Sequence, residues 1–325
     1  MSMDQRRSYG IVFLVLEPLS ILLRSIVFRI LVAMDTYSRR LDPAHRDYEL
    51  LTKIEQVLVR QAGGWEMFCV DIPRLLRQAI DEVIDSYRSG RFTVADLEKT
   101  EKTYLGTKIE ILLRNHLKLK KGKILDLDVD GIEVDVKNTI GKNWTIPNEA
   151  HNHPCLFIST DEKKAVCSVG LMLVRPEVLN PGRNRDQKAT VAVASFEHIH
   201  WLLFNAPYPE NFWEKIGGAA LKKLTEPRGG TERMVLLFKN YQGQPISRMI
   251  VQALAQQKDY MKRLRKNGGA RDLLYREGIA LLSGNYDQAT IEKLGLPAIG
   301  KDYFISFKPE NAEDIALLRD QGEIP

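Results

Sequence analysis

The sequence predicts a mixed α/β fold: helices around a mixed sheet in the first two thirds, then a smaller, more helical and more basic part. Three observations carry this reading. Apolar positions with helical spacing fill residues 43–59, 72–90 and 93–117. Short alternating or β-branched runs then cluster between residues 125 and 204. Beyond "NAPYPENF" (205–212), whose two prolines break the pattern, helical composition returns. A chain of 325 residues with 44% apolar content can bury two cores.

The chain opens on an apolar stretch, 11–33, of nearly membrane-spanning length. Glu17, Arg24 and Arg29 interrupt it and Pro18 lies inside it. Each central charge costs ~2.5 to 3.5 kcal/mol on insertion scales. Met34 begins "MDTYSRRLDPAHRDYELL", which reads as an ordinary soluble start. Residues 1–33 are therefore read as an extension from a start placed too far upstream, with a membrane-associated amphipathic helix as the alternative. The expected layout is a first domain over 34–204, a linker over 205–212 and a second domain over 213–325.

Within the first domain, Gly90 closes the second helical run and Thr93 caps the third. Glu110 sits in that third run among Ile109, Leu112 and Leu113, an unusual place for a carboxylate that only faces solvent. "PCLFIST" and "KKAVCSVGLMLVR" read as strands. "NPGRNRDQKAT" reads as a basic loop carrying Arg183, Arg185 and Lys188, and "TVAVASFEHIHWLLF" as a further strand with a short helix. In the second domain, residues 245–278 read as two helices joined at Asn267-Gly268-Gly269. Eight basic and two acidic residues lie between Arg248 and Arg276. Lys262, Arg263, Arg265 and Lys266 would form a cluster on consecutive helical turns. A helix-turn-helix presents one basic helix to DNA in this way, although a solvated basic face has the same charge pattern.

Between the helices and the strands lies "LDLDVDGIEVDVK", with five carboxylates in the ten positions 126–135. Apolar/polar alternation on both sides of Asp130-Gly131 predicts a two-residue β-hairpin. Val129 then faces Ile132, Asp128 faces Glu133, Leu127 faces Val134 and Asp126 faces Asp135, with Lys137 on the acidic face. Like charges directly opposite one another cost up to ~1 kcal/mol. A solvated edge hairpin tolerates that cost; a divalent cation would turn the repulsion into coordination, since Mg²⁺ takes a few carboxylate oxygens, water and a substrate phosphate. A lysine beside such carboxylates suits phosphodiester hydrolysis, where it can orient or deprotonate the attacking water or offset developing charge.

The chain carries 47 Lys and Arg against 42 Asp and Glu, a net +5 that fits a polyanionic partner. Cys69, Cys155 and Cys167 form no CxxC pair and are read as free thiols in a reducing compartment, the cytoplasm. There is no Walker-type glycine loop. His151-Asn152-His153 spells the name of a nuclease class without its zinc-stabilised setting. With His198 and His200, these histidines are read as core or loop residues.

Glu110, Asp126 and Asp135-Val136-Lys137 together have the layout of a PD-(D/E)XK nuclease site. "LGTKIEILLRNHLKL", "DGIEVDVKNTIGKNWTIPNEA", "NPGRNRDQKAT" and "AQQKDYMKRLR" resemble, in this order, the NaeI-type restriction endonucleases. The resemblance implies a restriction-endonuclease-like domain whose catalytic set is Glu110, Asp126, Asp135 and Lys137, the three acids holding Mg²⁺. It also implies a C-terminal winged-helix (CAP-like) DNA-binding domain. A homodimer acting on a palindromic double-stranded site, with a second DNA copy as effector, follows from the same resemblance. Arg183, Arg185, Lys188, Lys262, Arg263, Arg265 and Lys266 are the expected DNA contacts, and no stable membrane association is expected. The middle residue of the family's D-x-K tends to be cysteine; Val136 stands there instead, with no consequence expected for the chemistry.

Two other readings fit the same residues. A repair or nicking endonuclease with this site type would nick single strands as a monomer. A non-enzymatic regulator would use the helix-turn-helix alone, and the complete acid and lysine set argues against it. A methyltransferase gene next to this one would favour restriction over repair.

Overall fold

The computed structural model describes residues 37–184 and 186–325; the apolar stretch 11–33 and Arg185 lie outside the described residues. The chain divides into two compact units. The first takes the described residues up to Ala79 together with Thr103–Pro209, and the second takes Ile80–Lys102 with Glu210–Pro325. Among the described residues, no helix is long and apolar enough to cross a membrane.

In the first unit, helices α1 (Tyr48–Gln61), α2 (Trp65–Ile84, up to Ala79) and α3 (Lys99–His116, from Thr103) accompany strands β1 (Leu127–Val129), β2 (Ile132–Thr139), β3 (Thr145–Ile146), β4 (Pro154–Asp161), β5 (Val166–Leu173), β6 (Leu179–Arg183), β7 (Ala189–Val191) and β8 (His200–Pro207). The main sheet has the order β1-β2-β4-β5-β8. Only β2 and β4 run parallel; the other pairs are antiparallel. It is the mixed sheet flanked by helices that the sequence predicts. Leu51, Ile54 and Leu58 of α1 and Leu105, Ile109 and Leu113 of α3 repeat at three- and four-residue spacing, and all are buried. Trp144, Phe157 and Trp201 fill another part of the core. The edge strand β8 is paired by the segment before α1: Arg39 and Trp201 exchange both backbone bonds, at 3.0 and 2.9 Å, and Phe204 N–H donates to the Tyr37 carbonyl at 2.6 Å.

Several element readings are corrected. α2 begins at Trp65 and holds Pro73 in its interior, so the proline does not mark its start. Thr93 caps a short 3₁₀ turn, Val94–Asp96, and α3 starts only at Lys99 because Leu97 is extended. The basic loop is instead a hairpin in which Arg183 ends β6 and Ala189 begins β7. Asn205 to Pro207 complete β8, so the 205–212 segment is strand for part of its length.

The second unit contains α4 (Phe212–Thr225), α5 (Gly230–Asn240), β9 (Ile246–Ser247), α6 (Arg248–Ala255), α7 (Ala270–Arg276), β10 (Ala280–Ser283), α8 (Gln288–Lys293), β11 (Tyr303–Phe307) and α9 (Ala312–Asp320). Its sheet is antiparallel with the order β10-β11-β9. Met234, Leu237, Phe238, Val251, Leu254 and Leu274 form its core. The pair of helices expected over 245–278 is interrupted. α6 stops at Ala255 because Gln256 turns left-handed at φ 52, and only the 3₁₀ stretch Tyr260–Leu264 follows before α7. Lys262 and Arg263 lie in that stretch and Arg265 is extended just after it, so the basic residues do not lie on consecutive helical turns.

Candidate active site

The hairpin has the register expected from its pattern: Leu127↔Val134, Asp128↔Glu133 and Val129↔Ile132. Asp130 and Gly131 have φ of 55 and 83, the double positive φ that a type I′ turn requires. Leu127, Val129, Val134 and Val136 are buried on the apolar face. The ladder ends at Leu127, so Asp126 and Asp135 are not ladder partners. A continued ladder would have brought the Leu125 carbonyl to the Val136 N–H. Instead Asp126 Oδ2 accepts that bond, at 2.8 Å.

The five carboxylates do not act as one acidic face. Asp130 is exposed in the turn, and Asp128 Oδ1 accepts from Gly131 N–H at 2.7 Å. Glu133 turns to backbone N–H groups of the preceding loop. Asp126 and Asp135 remain as the pair whose side chains meet. Asp135 is buried and Lys137 Nζ lies 2.6 Å from its Oδ2. Burial lifts the Asp135 carboxyl to about 6; Lys137 opposes that rise and the Asp126 carboxylate adds to it. Parallel pairing sets Cys155 of β4 beside Asp135, with Sγ 3.9 Å from Oδ2, and burial pushes the thiol well up.

Glu110 lies on α3, partly buried, with Oε1 held by Arg114 at 2.5 Å. The structure thus brings Asp126, Asp135 and Lys137 together, while Glu110 is engaged one helical turn along. Among the described residues, no group of three or more His, Cys, Asp or Glu is arranged to hold a metal ion. The two adjoining carboxylates do fit a hard divalent cation, which needs only one or two carboxylates beside water and substrate oxygens. Sequence reasoning missed Cys155, which only the β2/β4 pairing brings near. It also missed Arg114, although an acid four residues before a base on a helix is a readable signal.

His153 lies close enough to Glu133 of the hairpin to help hold its carboxyl down, while His45, His198 and His200 belong to other groupings. His200 is fully buried with Nε2 2.6 Å from Glu55 Oε2, and His45 and His198 face each other at 3.3 Å. Arg183 donates to Asn148 Oδ1 and, at 3.0 Å, to the Gln187 carbonyl. Lys188 is partly exposed in the β6–β7 hairpin. In the second unit, Lys262 pairs with Asp259 at 3.1 Å, Lys266 with Glu323 at 3.2 Å, and Arg263 donates to Gln257 at 2.6 Å. Arg265 and Lys266 help line a cleft of about 370 Å³ with Arg248, Arg271 and Lys301, none of which was singled out from sequence, and with the exposed Tyr286.

A mixed sheet flanked by helices, with two carboxylates and a lysine gathered at one strand, is consistent with an α/β nuclease domain. A sequence model of restriction endonuclease NaeI matches residues 70–316. The type II restriction enzyme NaeI of Lentzea aerocolonigenes is 30% identical over 249 residues, covering 74% of this chain and 78% of that enzyme. The chain belongs to the NaeI restriction endonuclease family.

Proposed function

We propose that this protein is a Mg²⁺-dependent type II restriction endonuclease that hydrolyses phosphodiester bonds at a specific palindromic site in double-stranded DNA. The observation that carries the reading is the convergence of Asp126, Asp135 and Lys137 at the end of one hairpin in a chain of this family. Asp126 and Asp135 are the residues to hold the cation, and Glu110 would join them on leaving Arg114. A bound Mg²⁺ supplies Lewis acidity at the scissile phosphate and lowers the pKa of water. Asp135 holds Lys137 Nζ beside the acid pair, where the amine carries or removes a proton next to the attacking oxygen. The roles assigned to the four residues are proposals of the same reading.

Residues 34–204 form the nuclease domain in this proposal, and 213–325 a winged-helix domain that binds DNA. The order α5-β9-α6-α7-β10-β11, with β11 between β9 and β10, supports the second assignment. The basic cleft with exposed Tyr286 adds to that support. The protein would act in the cytoplasm as a homodimer, with a second DNA copy as effector. The test is cleavage of plasmid DNA by the purified protein. Discrete double-strand fragments are expected with Mg²⁺ or Mn²⁺ and none in EDTA. Asp135→Asn should bind DNA and lose on the order of 10³-fold or more in rate. Full cleavage in EDTA or by Asp135→Asn would overturn the site.

A further inference from the structure

Glu133 stands opposite Asp128 in the hairpin, yet its carboxylate reaches back to the loop that leads into Asp126. Oε1 accepts from Lys123 N–H at 2.6 Å, and Oε2 accepts from Ile124 N–H at 3.0 Å and Leu125 N–H at 2.8 Å. Three successive amides converging on one anion form a charge-assisted clamp. Before the clamp, the loop is tied only as far as Lys120, whose carbonyl accepts from Asp128 N–H at 2.9 Å in an antiparallel bridge. Lys123 is exposed and Ile124 is 73% exposed, so only Leu125 is anchored by burial. At the other end of the loop a Cβ on Gly122 would stand 2.5 Å from the Leu125 carbonyl oxygen and 3.1 Å from that of Leu127. Both are backbone atoms that cannot step aside singly, so the curl requires glycine. The residue after the clamped triplet is Asp126, whose carboxylate must meet the Val136 N–H and Asp135 at once.

We infer that Glu133 is a positioning residue for the acid pair: its carboxylate, with Gly122, ties down the 122–125 loop and so fixes where Asp126 stands beside Asp135. The inference rests on the nuclease reading proposed above, in which that pair holds the cation. Glutamate suits the task better than glutamine. An amide offers one acceptor oxygen and turns an NH₂ donor toward N–H groups that are themselves donors. Removal of the clamp leaves both metal-binding carboxylates in the chain but lets one of them wander.

The test uses full-length Glu133→Gln and Gly122→Ala, two variants that loosen one loop from opposite ends. Three measurements are made: Mg²⁺ binding by calorimetry, the Mg²⁺ concentration for half-maximal cleavage, and amide hydrogen exchange. Mg²⁺ affinity should fall roughly 10- to 100-fold, the range typical of outer-shell partners of metal ligands. The half-maximal concentration should rise in step, while the cleavage rate at saturating Mg²⁺ stays within about threefold of wild type. Amides of Lys123, Ile124 and Leu125 should exchange faster in Glu133→Gln, with β4 and β5 unchanged; a loss of folding would expose those strands too. Wild-type Mg²⁺ affinity in both variants, or unchanged exchange at the three amides, overturns the inference. If wild-type protein itself neither binds Mg²⁺ nor cleaves, the nuclease reading fails, a result distinct from wild-type function that survives loss of the clamp.

Discussion

Four of the five acids in 126–135 have a fixed partner: Asp126 the Val136 amide, Asp128 the Gly131 amide, Glu133 three loop amides and Asp135 the Lys137 amine; Asp130 is exposed in the turn. The basic residues of the second unit are held differently. Lys266 keeps 52% of its side chain exposed beside Glu323, which Arg271 also holds, whereas Lys262 and Arg248 keep 62% and 46% exposed and pair with the exposed acids Asp259 and Asp302. Such exposed pairs are worth ~0 to 1 kcal/mol, so an incoming phosphate can replace the partner acid cheaply. The buried Asp135 carboxylate has no such freedom, because water screens it poorly. In the function proposed above, the hairpin would be a narrow, pre-set negative site for chemistry and the second unit's basic residues a broad, adaptable positive surface for binding.

The sharpest way to break that contrast is Lys137→Ala. If Lys137 acts at the reacting phosphate, cleavage at saturating Mg²⁺ should fall on the order of 10³-fold. DNA affinity should change little. The converse variant, with Lys262, Arg263, Arg265 and Lys266 all replaced by Ala, should keep a near-normal single-turnover rate at saturating DNA. A Lys137→Ala enzyme that loses binding and rate together would place the lysine among the binding residues.

A smaller effect concerns stability. The Asp135 carboxyl is raised from 3.8 to about 6, so in metal-free protein the folded state binds more protons than the unfolded state between those values. Stability should therefore decrease as pH rises through that window, by about 3 kcal/mol at most. Thermal melts of wild type and Asp135→Asn from pH 4 to 7 in EDTA should diverge, with the Asn variant lacking this fall. Parallel curves would mean that Asp135 ionises without penalty and that the hairpin site is as solvated as the basic surface.

The smallest expected effect is the salt dependence of DNA binding. In the quadruple variant the log–log slope should flatten by roughly 0.9 for every phosphate that the four side chains neutralise in wild type. An unchanged slope would move the DNA to Arg248, Arg271 and Lys301, on the rest of the cleft that Arg265 and Lys266 line, or to Arg183 and Lys188 of the β6–β7 hairpin.

The hairpin register was legible because a two-residue turn fixes pairing by counting, and the alternation of Leu127, Val129, Val134 and Val136 fixes the faces. The closeness of Asp126, Asp135 and Lys137 was legible for the same reason, since these three lie within twelve residues of one another, whereas the Arg114 partner of Glu110 went unread. The basic segment misled because its helical spacing is real but brief. Gln256 turns left-handed, and at Gly269 the chain passes so close to itself that a Cβ would stand 2.2 Å from the Arg265 carbonyl. Nothing in local periodicity reports such a return. The grouping of Ile80–Lys102 with the second unit was equally hidden: Asn211 donates to the Phe92 carbonyl and Phe92 packs edge-on against Trp213, across more than a hundred residues of sequence. Glu133 was visible only as a like-charge partner of Asp128, because its real partners are backbone amides, which carry no sequence signature.

The backbone bonds from Tyr37 and Arg39 to β8 have a consequence for behaviour in concentrated solution. β8 is an end strand of the main sheet, and an uncovered end strand is a template on which another chain's strand can dock. The segment before α1 occupies those donors and acceptors, and Leu41 N–H adds a bond to the buried His200 ring at 3.3 Å. The opposite end strand, β1, is only three residues long, and the Lys120–Asp128 bridge lies beside it. Both ends of the sheet are thus closed to strand-by-strand aggregation, one by a short tether and the other by brevity.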